Sequence, residues 1–373
     1  MSRSIINIER EQEKETFQYF NDFFAKVKEV TDDSEWLECD VANIEFSQSP
    51  DANPFEELGG GEFDAVQFSP SGGWVYYPLR YTALSSILTR ADISGNGIKE
   101  LFLANKEQFA TVLNWLIAVK NGRKSKMLAL VQDRKLSALH SAAYKQINMA
   151  DVFEQVDNYL FENFEDVEFK QGVWSYAASE AVYKLGDKEL QEVYKKLLAK
   201  HFKSSTRVSV ELLATTSDVA ETAVRYYPRL DCGNVAFPLV GKGVKHIGNA
   251  SLQKCRDALE ELFISFEAAF RNVAALADIK IFNMKNTMIK AFTMLNVPQK
   301  HAAELCEQYD NVPSNALDVY TSMCRVLPTL RTRLSRSAAL NYEDTMSRMI
   351  MWNRSTWEHM DIPGVVAWGA KNK

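Results

Sequence analysis

Between Leu252 and Ala277 the apolar side chains return every three or four residues: Leu252, Cys255, Leu259, Leu262, Phe266, Phe270, Val273 and Ala277. That spacing lays one stripe along one face and predicts a single amphipathic helix of about seven turns. The same rule predicts helices within residues 5–29 (Phe17, Phe20, Phe23, Phe24, Val27), from Tyr81 (Leu84, Ile87, Leu88), over 106–120 and over 149–160. A charged helix is expected over 187–200, and two or three more after the long one, through Ile350. Strand-like runs fall between them. Residues 63–77 read as a hairpin around Gly72-Gly73, and residues 127–131 and 136–140 as a hairpin flanking Gln132-Asp-Arg-Lys. Residues 167–176, 207–213 and 222–227 read as strands, the last stopped by Pro228. Residues 47–61, with two prolines and Gly59-Gly60-Gly61, read as a linker, and no repeat of 20–50 residues is seen.

The expected fold class is α+β, a central antiparallel or mixed sheet with flanking helices and a helical C-terminal third. Three segments follow: an acidic N-terminal helix and linker (1–62), an α+β core domain (63–330) and a C-terminal helical extension (331–373).

The chain has 373 residues, 46% of them apolar and 25% charged, enough for a substantial core. No run of eighteen apolar residues predicts a membrane span, and the start turns acidic too early for a signal peptide. The cysteines (Cys39, Cys232, Cys255, Cys306, Cys324) are scattered and odd in number. This pattern fits a reducing cytoplasm and argues against a disulfide framework or a zinc site. The histidines are equally dispersed, so neither a metal nor a cofactor is expected. The net charge of −6 is uneven: residues 1–70 hold 17 Asp/Glu against 5 Lys/Arg, a net of −12, which leaves the rest of the chain at +6. Two readings stand, a polyanion-binding body shielded by its own leader, or a leader that only confers solubility.

The candidate chemistry centres on Pro238-Leu-Val-Gly-Lys-Gly-Val-Lys-His246-Ile-Gly-Asn249-Ala-Ser. Gly241 and Gly243, two lysines and a histidine precede a helix that Asn249 or Ser251 is placed to cap. Exposed helix-start N–H groups beside cations make a seat for an anion. It is neither a P-loop, lacking the Gly-Lys-Ser/Thr ending, nor a dinucleotide fingerprint, lacking the third glycine. Around it, residues 200–256 hold nine Lys/Arg against four acidic residues, with Tyr226 and Tyr227 between them. Cations with interleaved aromatics are what a single-stranded nucleic-acid groove requires. The candidate contacts are therefore Lys242, Lys245, His246, Asn249, Arg207, Arg225 and Arg229 for phosphates, with Tyr226 and Tyr227 for base stacking. The plain alternative is tyrosines in the core and lysines in solvent. No Gly-x-Ser-x-Gly elbow occurs, no catalytic residue is assigned, and Cys232 reads as a small core residue rather than a nucleophile. Arg331, Arg333 and Arg336 are a second polyanion contact or a solvated helix face.

Several segments together resemble one family, the phage/plasmid-related proteins grouped as a domain of unknown function. They are Tyr81-Thr-Ala-Leu-Ser-Ser-Ile-Leu, Asn114-Trp-Leu, Leu136-Ser-Ala-Leu-His-Ser-Ala-Ala-Tyr144-Lys-Gln-Ile, Asn315-Ala-Leu-Asp-Val-Tyr320 and, most specifically, Lys245-His-Ile-Gly-Asn-Ala before the long helix. Ala142 and Ala143 stand where that family has Asp-Arg. The resemblance spans roughly residues 70–330 and implies a bacteriophage or plasmid origin, in the cytoplasm of a bacterial host. By association only, it implies DNA handling in replication or recombination. The expectation is a non-enzymatic protein that binds, anneals or protects single-stranded DNA, self-associates as a homo-oligomer and does not meet a membrane. The alternative is a protein–protein interaction or assembly factor, such as an inhibitor of a host defence system, that binds no nucleic acid. A nuclease or transferase is the third reading, with no clustered carboxylates to support it.

Overall fold

The computed structural model describes residues 14–48, 66–73, 75–93, 96–186, 188–199, 201, 208–220, 222–232, 236–334 and 336–368. The chain is α+β. In order, its first part runs β1 (Glu15–Phe17), α1 (Phe20–Asp32), β2 (Glu35–Asp40), β3 (Glu45–Ser47), β4 (Gln67–Ser69), β5 (Tyr77–Pro78), α2 (Tyr81–Arg90), α3 (Asn96–Ala104), α4 (Lys106–Asn121), β6 (Lys126–Gln132) and β7 (Lys135–Ser141). Then come α5 (Met149–Asn163), β8 (Asp166–Trp174), β9 (Ser179–Gly186), α6 (Lys188–Leu197), β10 (Ser209–Thr216), β11 (Val224–Asp231), β12 (Ala236–Pro238) and β13 (Lys242–Val244).

The principal sheet has the order β1-β8-β9-β10-β11-β12, with β13 also on β11 and every pairing antiparallel. Two small sheets, β2-β6-β7 and β3-β4-β5, belong to the N-terminal part. The predicted hairpin at Gln132–Lys135 forms, with Asp133 and Arg134 at φ 48° and 55°, the left-handed pair that matches strand twist in a two-residue turn. Only part of the Gly72-Gly73 hairpin lies within the described residues, and there β4 pairs β5.

Four expectations change. Phe17 lies on β1, paired with Gly172, so the N-terminal helix begins at Phe20. Strand β9 was not anticipated, because Glu180 and Lys184 interrupt its apolar run; they occupy one face while Ala181, Tyr183 and Leu185 fill the core. Pro228 does not stop β11. A strand residue points its N–H and C=O to the same side, and Leu239 N–H donates to the Pro228 carbonyl at 2.8 Å. The missing donor therefore falls where β13, paired with residues 224–226, gives way to β12, paired with residues 229–231. The long helix divides at Ser265 into α7 (Leu252–Ile264) and α8 (Phe266–Leu276), with the Ser265 hydroxyl donating to the Leu262 carbonyl.

Five helices rather than two or three follow by Ser347: α9 (Met284–Met294), α10 (Gln299–Cys306), α11 (Ala316–Cys324), α12 (Leu327–Arg333) and α13 (Arg336–Ser347). A further one, α14 (Arg354–Met360), contributes Trp357 and Met360 to the core on the principal sheet, as residues beyond 331 also do through Met346, Met349 and Ile350. A second, smaller core collects Phe46, Phe68, Ile87, Phe109, Leu113 and Leu139 from the N-terminal part. No helix among the described residues is long and apolar enough to cross a membrane.

Candidate functional site

Consecutive residues of a strand point to opposite faces. On the principal sheet, Leu212, Ala214, Val224 and Tyr226 enter the large core, whereas Val182, Leu213 and Tyr227 pack on the other face beneath Leu340 of α13. The register sets rows across that second face. Glu180, Thr215 and Arg225 are direct neighbours on β9, β10 and β11, and Val182, Leu213 and Tyr227 form the next row.

Over the first row lies a cavity of about 530 Å³, within the ~300–1,000 Å³ range of small-molecule sites. Five cations line it: Lys14 just before β1, Arg90 at the end of α2, Arg225 on β11, Lys245 in the turn after β13 and Arg336 at the start of α13. Among the described residues Glu180 is the one carboxylate in the lining, and it holds Arg336 at 2.6 Å. Arg225 has Asp344 at 3.7 Å. Among the described residues, Lys14, Arg90 and Lys245 have no acidic partner.

The cavity sits where the two cores meet, and polar groups make that seam. His140 Nε2–H donates to the Asp218 carbonyl at 2.7 Å, and the Tyr144 hydroxyl donates to the same oxygen at 3.3 Å. Lys145 N–H donates to the His246 carbonyl at 2.8 Å, and His246 Nδ1–H returns a bond to the Lys145 carbonyl at 3.2 Å. The rings stack: Tyr144 lies 3.9 Å from His140 on one side and 5.2 Å from His246 on the other, within 14° and 4° of parallel. Arg80 closes the seam with its guanidinium 3.3 Å from the Tyr176 ring centre. Burial pushes His140 down to about 4, against the opposing pull of the Asp218 carbonyl, and lowers His246 as well. Both imidazoles are therefore neutral near pH 7. Burial also pushes the Asp218 carboxyl up to about 7 and raises the Tyr144 phenol.

Of the residues expected from the sequence, the structure gathers Lys245, His246, Arg225 and Tyr227 around this cavity. The others lie elsewhere. Lys242 is paired with Glu261 at 3.1 Å. Tyr226 is wholly buried and donates its hydroxyl to the Cys255 carbonyl, so neither ring face is open to a base. Arg229 lies between Glu211 and Glu343. Asn249 is exposed and outside the cavity lining. Arg207 lies outside the described residues. His246 is buried and uncharged, not a surface cation.

Within the glycine-lysine segment, Lys242–Val244 form strand β13. A Cβ on Gly241 would stand 2.5 Å from the Tyr226 carbonyl oxygen, and one on Gly243 would stand 2.6 Å from that of Val224. These glycines serve close approach to β11. Ser251 caps α7 through Lys254 N–H, and no residue of α7 lines the cavity, so the helix-start seat and the cavity are separate.

The reading missed Arg90, His140, Tyr144 and Thr215. The one available signal was His140 ending an apolar strand with Tyr144 four residues on, too short a pattern to name a site. Cys232 is buried with its thiol pushed up to about 12, protonated and shielded at neutral pH. Among the described residues, no three His, Cys, Asp or Glu side chains gather as a metal site would require.

The arrangement can attract an anion, engage it through guanidinium and ammonium groups, and hold it in a partly apolar recess. Comparison with family models, curated proteins and solved structures finds no match to this chain.

Proposed function

We propose that this protein binds nucleic acid, single-stranded DNA first, with the cavity as its phosphate-recognition site. One observation carries the reading: among the described residues, five cations from five separate parts of the chain converge on a recess lined by a single carboxylate. Scattered surface lysines do not do this, because like charges brought together cost energy unless an anion joins them. A recess of about 530 Å³ admits a nucleotide but not a duplex, which favours single strands. The phosphate backbone supplies affinity, since the aromatic rings of the seam already stack on one another. The resemblance to phage/plasmid-related proteins is in keeping with a replication or recombination role in a bacterial cytoplasm.

The test is fluorescence anisotropy with single-stranded oligonucleotides across a salt series. Binding should weaken with salt, and Lys245→Ala and Arg90→Ala should each flatten the slope of log K against log[salt] by about 0.7. Salt-independent binding, or no binding to any oligonucleotide, rejects the proposal.

A second reading, self-association or partner binding, rests on Trp115 and Val119, exposed one turn apart on α4. Trp115→Ser should then shift the mass measured by light scattering toward the monomer. An unchanged monomer mass in both forms rejects self-association.

A further inference from the structure

Resting on that reading of the cavity, we infer that it takes the terminal phosphomonoester of a nucleotide, free or at a strand end, rather than a phosphodiester within a continuous strand. Three observations lead there.

The first is shape. The sheet forms the floor, and α13, the turn through Lys245–Ile247 and the end of β7 stand around it. A terminal phosphate needs only to reach into this recess, whereas an internal phosphodiester must bring its strand past these elements on both sides.

The second is charge. Once Glu180 and Asp344 are assigned to Arg336 and Arg225, Lys14, Arg90 and Lys245 remain without carboxylate partners among the described residues. A phosphodiester offers one negative charge. A phosphomonoester offers about −1.5 to −2 with three acceptor oxygens, a better match to several converging cations.

The third is two orphaned polar atoms in cavity-lining side chains. Thr215 Oγ1 and His246 Nε2 are buried and have no hydrogen-bond partner. Each such atom is destabilising until a partner meets it. Thr215 stands mid-row between Glu180 and Arg225, where its hydroxyl donates to a phosphate oxygen. His246 is a different case: its Nδ1–H is committed to the Lys145 carbonyl, so Nε2 is a lone pair that needs a donor. Inorganic phosphate could give one only by spending its own P–OH, which leaves fewer oxygens to accept from the cations. A nucleotide gives one through a sugar hydroxyl or a base amino group. The ligand class that supplies a donor to His246 Nε2 while keeping every phosphate oxygen free to accept is therefore a nucleotide rather than an inorganic anion.

The experiment compares one dye-labelled single strand carrying a 5′-phosphate, a 3′-phosphate or hydroxyls at both ends, with unlabelled nucleoside 5′- and 3′-monophosphates, nucleoside and inorganic phosphate as competitors. One phosphorylated end should bind roughly tenfold tighter than the hydroxyl strand. The matching monophosphate should displace it, while nucleoside and inorganic phosphate fail. Lys245→Ala and Arg90→Ala, both at the rim, should erase the preference, with circular dichroism confirming the fold.

Equal binding of all three strands overturns the inference and leaves nucleic-acid binding standing. Displacement by inorganic phosphate as effective as by nucleotide also overturns it. Monophosphate binding without strand binding supports the inference and removes the nucleic-acid reading. No binding of any probe overturns both. Retained end preference in the two variants places recognition outside this cavity and overturns it.

Discussion

His140 donates its Nε2 proton to the backbone carbonyl of Asp218 at 2.7 Å, tying the end of β7 to the turn that leaves β10. Both residues titrate away from their ordinary ranges, and in opposite senses for stability. Asp218 is raised to about 7, so the stability it contributes is full below its unfolded value near 4 and is lost as pH rises toward 7. His140 is depressed to about 4, so its contribution is full above about 6.5 and is lost as pH falls toward 4. The two slopes oppose each other in one window. Asp218→Asn should make the protein more stable than wild type at pH 8, by an amount on the order of a few kcal/mol at most, and the gain should shrink toward pH 5. His140→Gln should leave the Asp218 slope uncovered, so that stability rises on acidification. Urea unfolding at pH 5, 6.5 and 8 measures both, and parallel curves for the variants and wild type would count against this coupling.

Glu343 and Glu261 each pair with a basic residue, but in different surroundings. Glu343 is buried; burial pushes its carboxyl up, and the guanidiniums of Arg229 and Arg331 outweigh that and hold it below the ordinary range. Glu343→Gln removes the buried carboxylate from Arg331 and leaves Arg229 with Glu211 alone, and should cost about 3 kcal/mol. Glu261→Gln breaks only the half-exposed pair with Lys242 and should cost about 1 kcal/mol or less. Thermal melts side by side test the contrast.

Gly241→Ala places a methyl against the Tyr226 carbonyl oxygen, where the backbone cannot yield without moving β13. The expected loss is about 1–3 kcal/mol, with weaker oligonucleotide binding because Lys245 and His246 follow directly. Chemical denaturation and anisotropy on the same sample check it; an unchanged protein would mean that the turn tolerates displacement.

Tyr226→Phe removes one buried hydroxyl–carbonyl bond and should cost about 1 kcal/mol without altering nucleic-acid affinity. A large loss of affinity would return Tyr226 to the binding surface, against its burial.

Helical faces and two hairpins could be read along the chain because their signal is local. The α5 and α6 stripes and the Gln132–Lys135 turn are written into a few residues. Strand β9 was hidden because Glu180 and Lys184 interrupt its apolar run on one face; Glu180 belongs to the row lining the cavity and Lys184 pairs across from Glu211. Pro228 misled because its tolerance depends on which neighbour it faces, and neighbour identity is not local. The site was half legible for the same reason. Lys245, Arg225 and Tyr227 came from a basic stretch and Arg336 from a second basic cluster, but that these meet Arg90 and Glu180, far apart in sequence, follows only once the sheet closes. Tyr226 and Tyr227 could not be told apart without knowing which face of β11 turns inward.

The position of the cavity astride the join between the two hydrophobic cores makes occupancy and cohesion a single equilibrium. Whatever fills the recess touches residues anchored in both, so it must oppose their separation, and by reciprocity anything that loosens the join must weaken capture. Heating the protein alone and then saturated with its ligand should therefore move the parting of the cores most and their individual melting least.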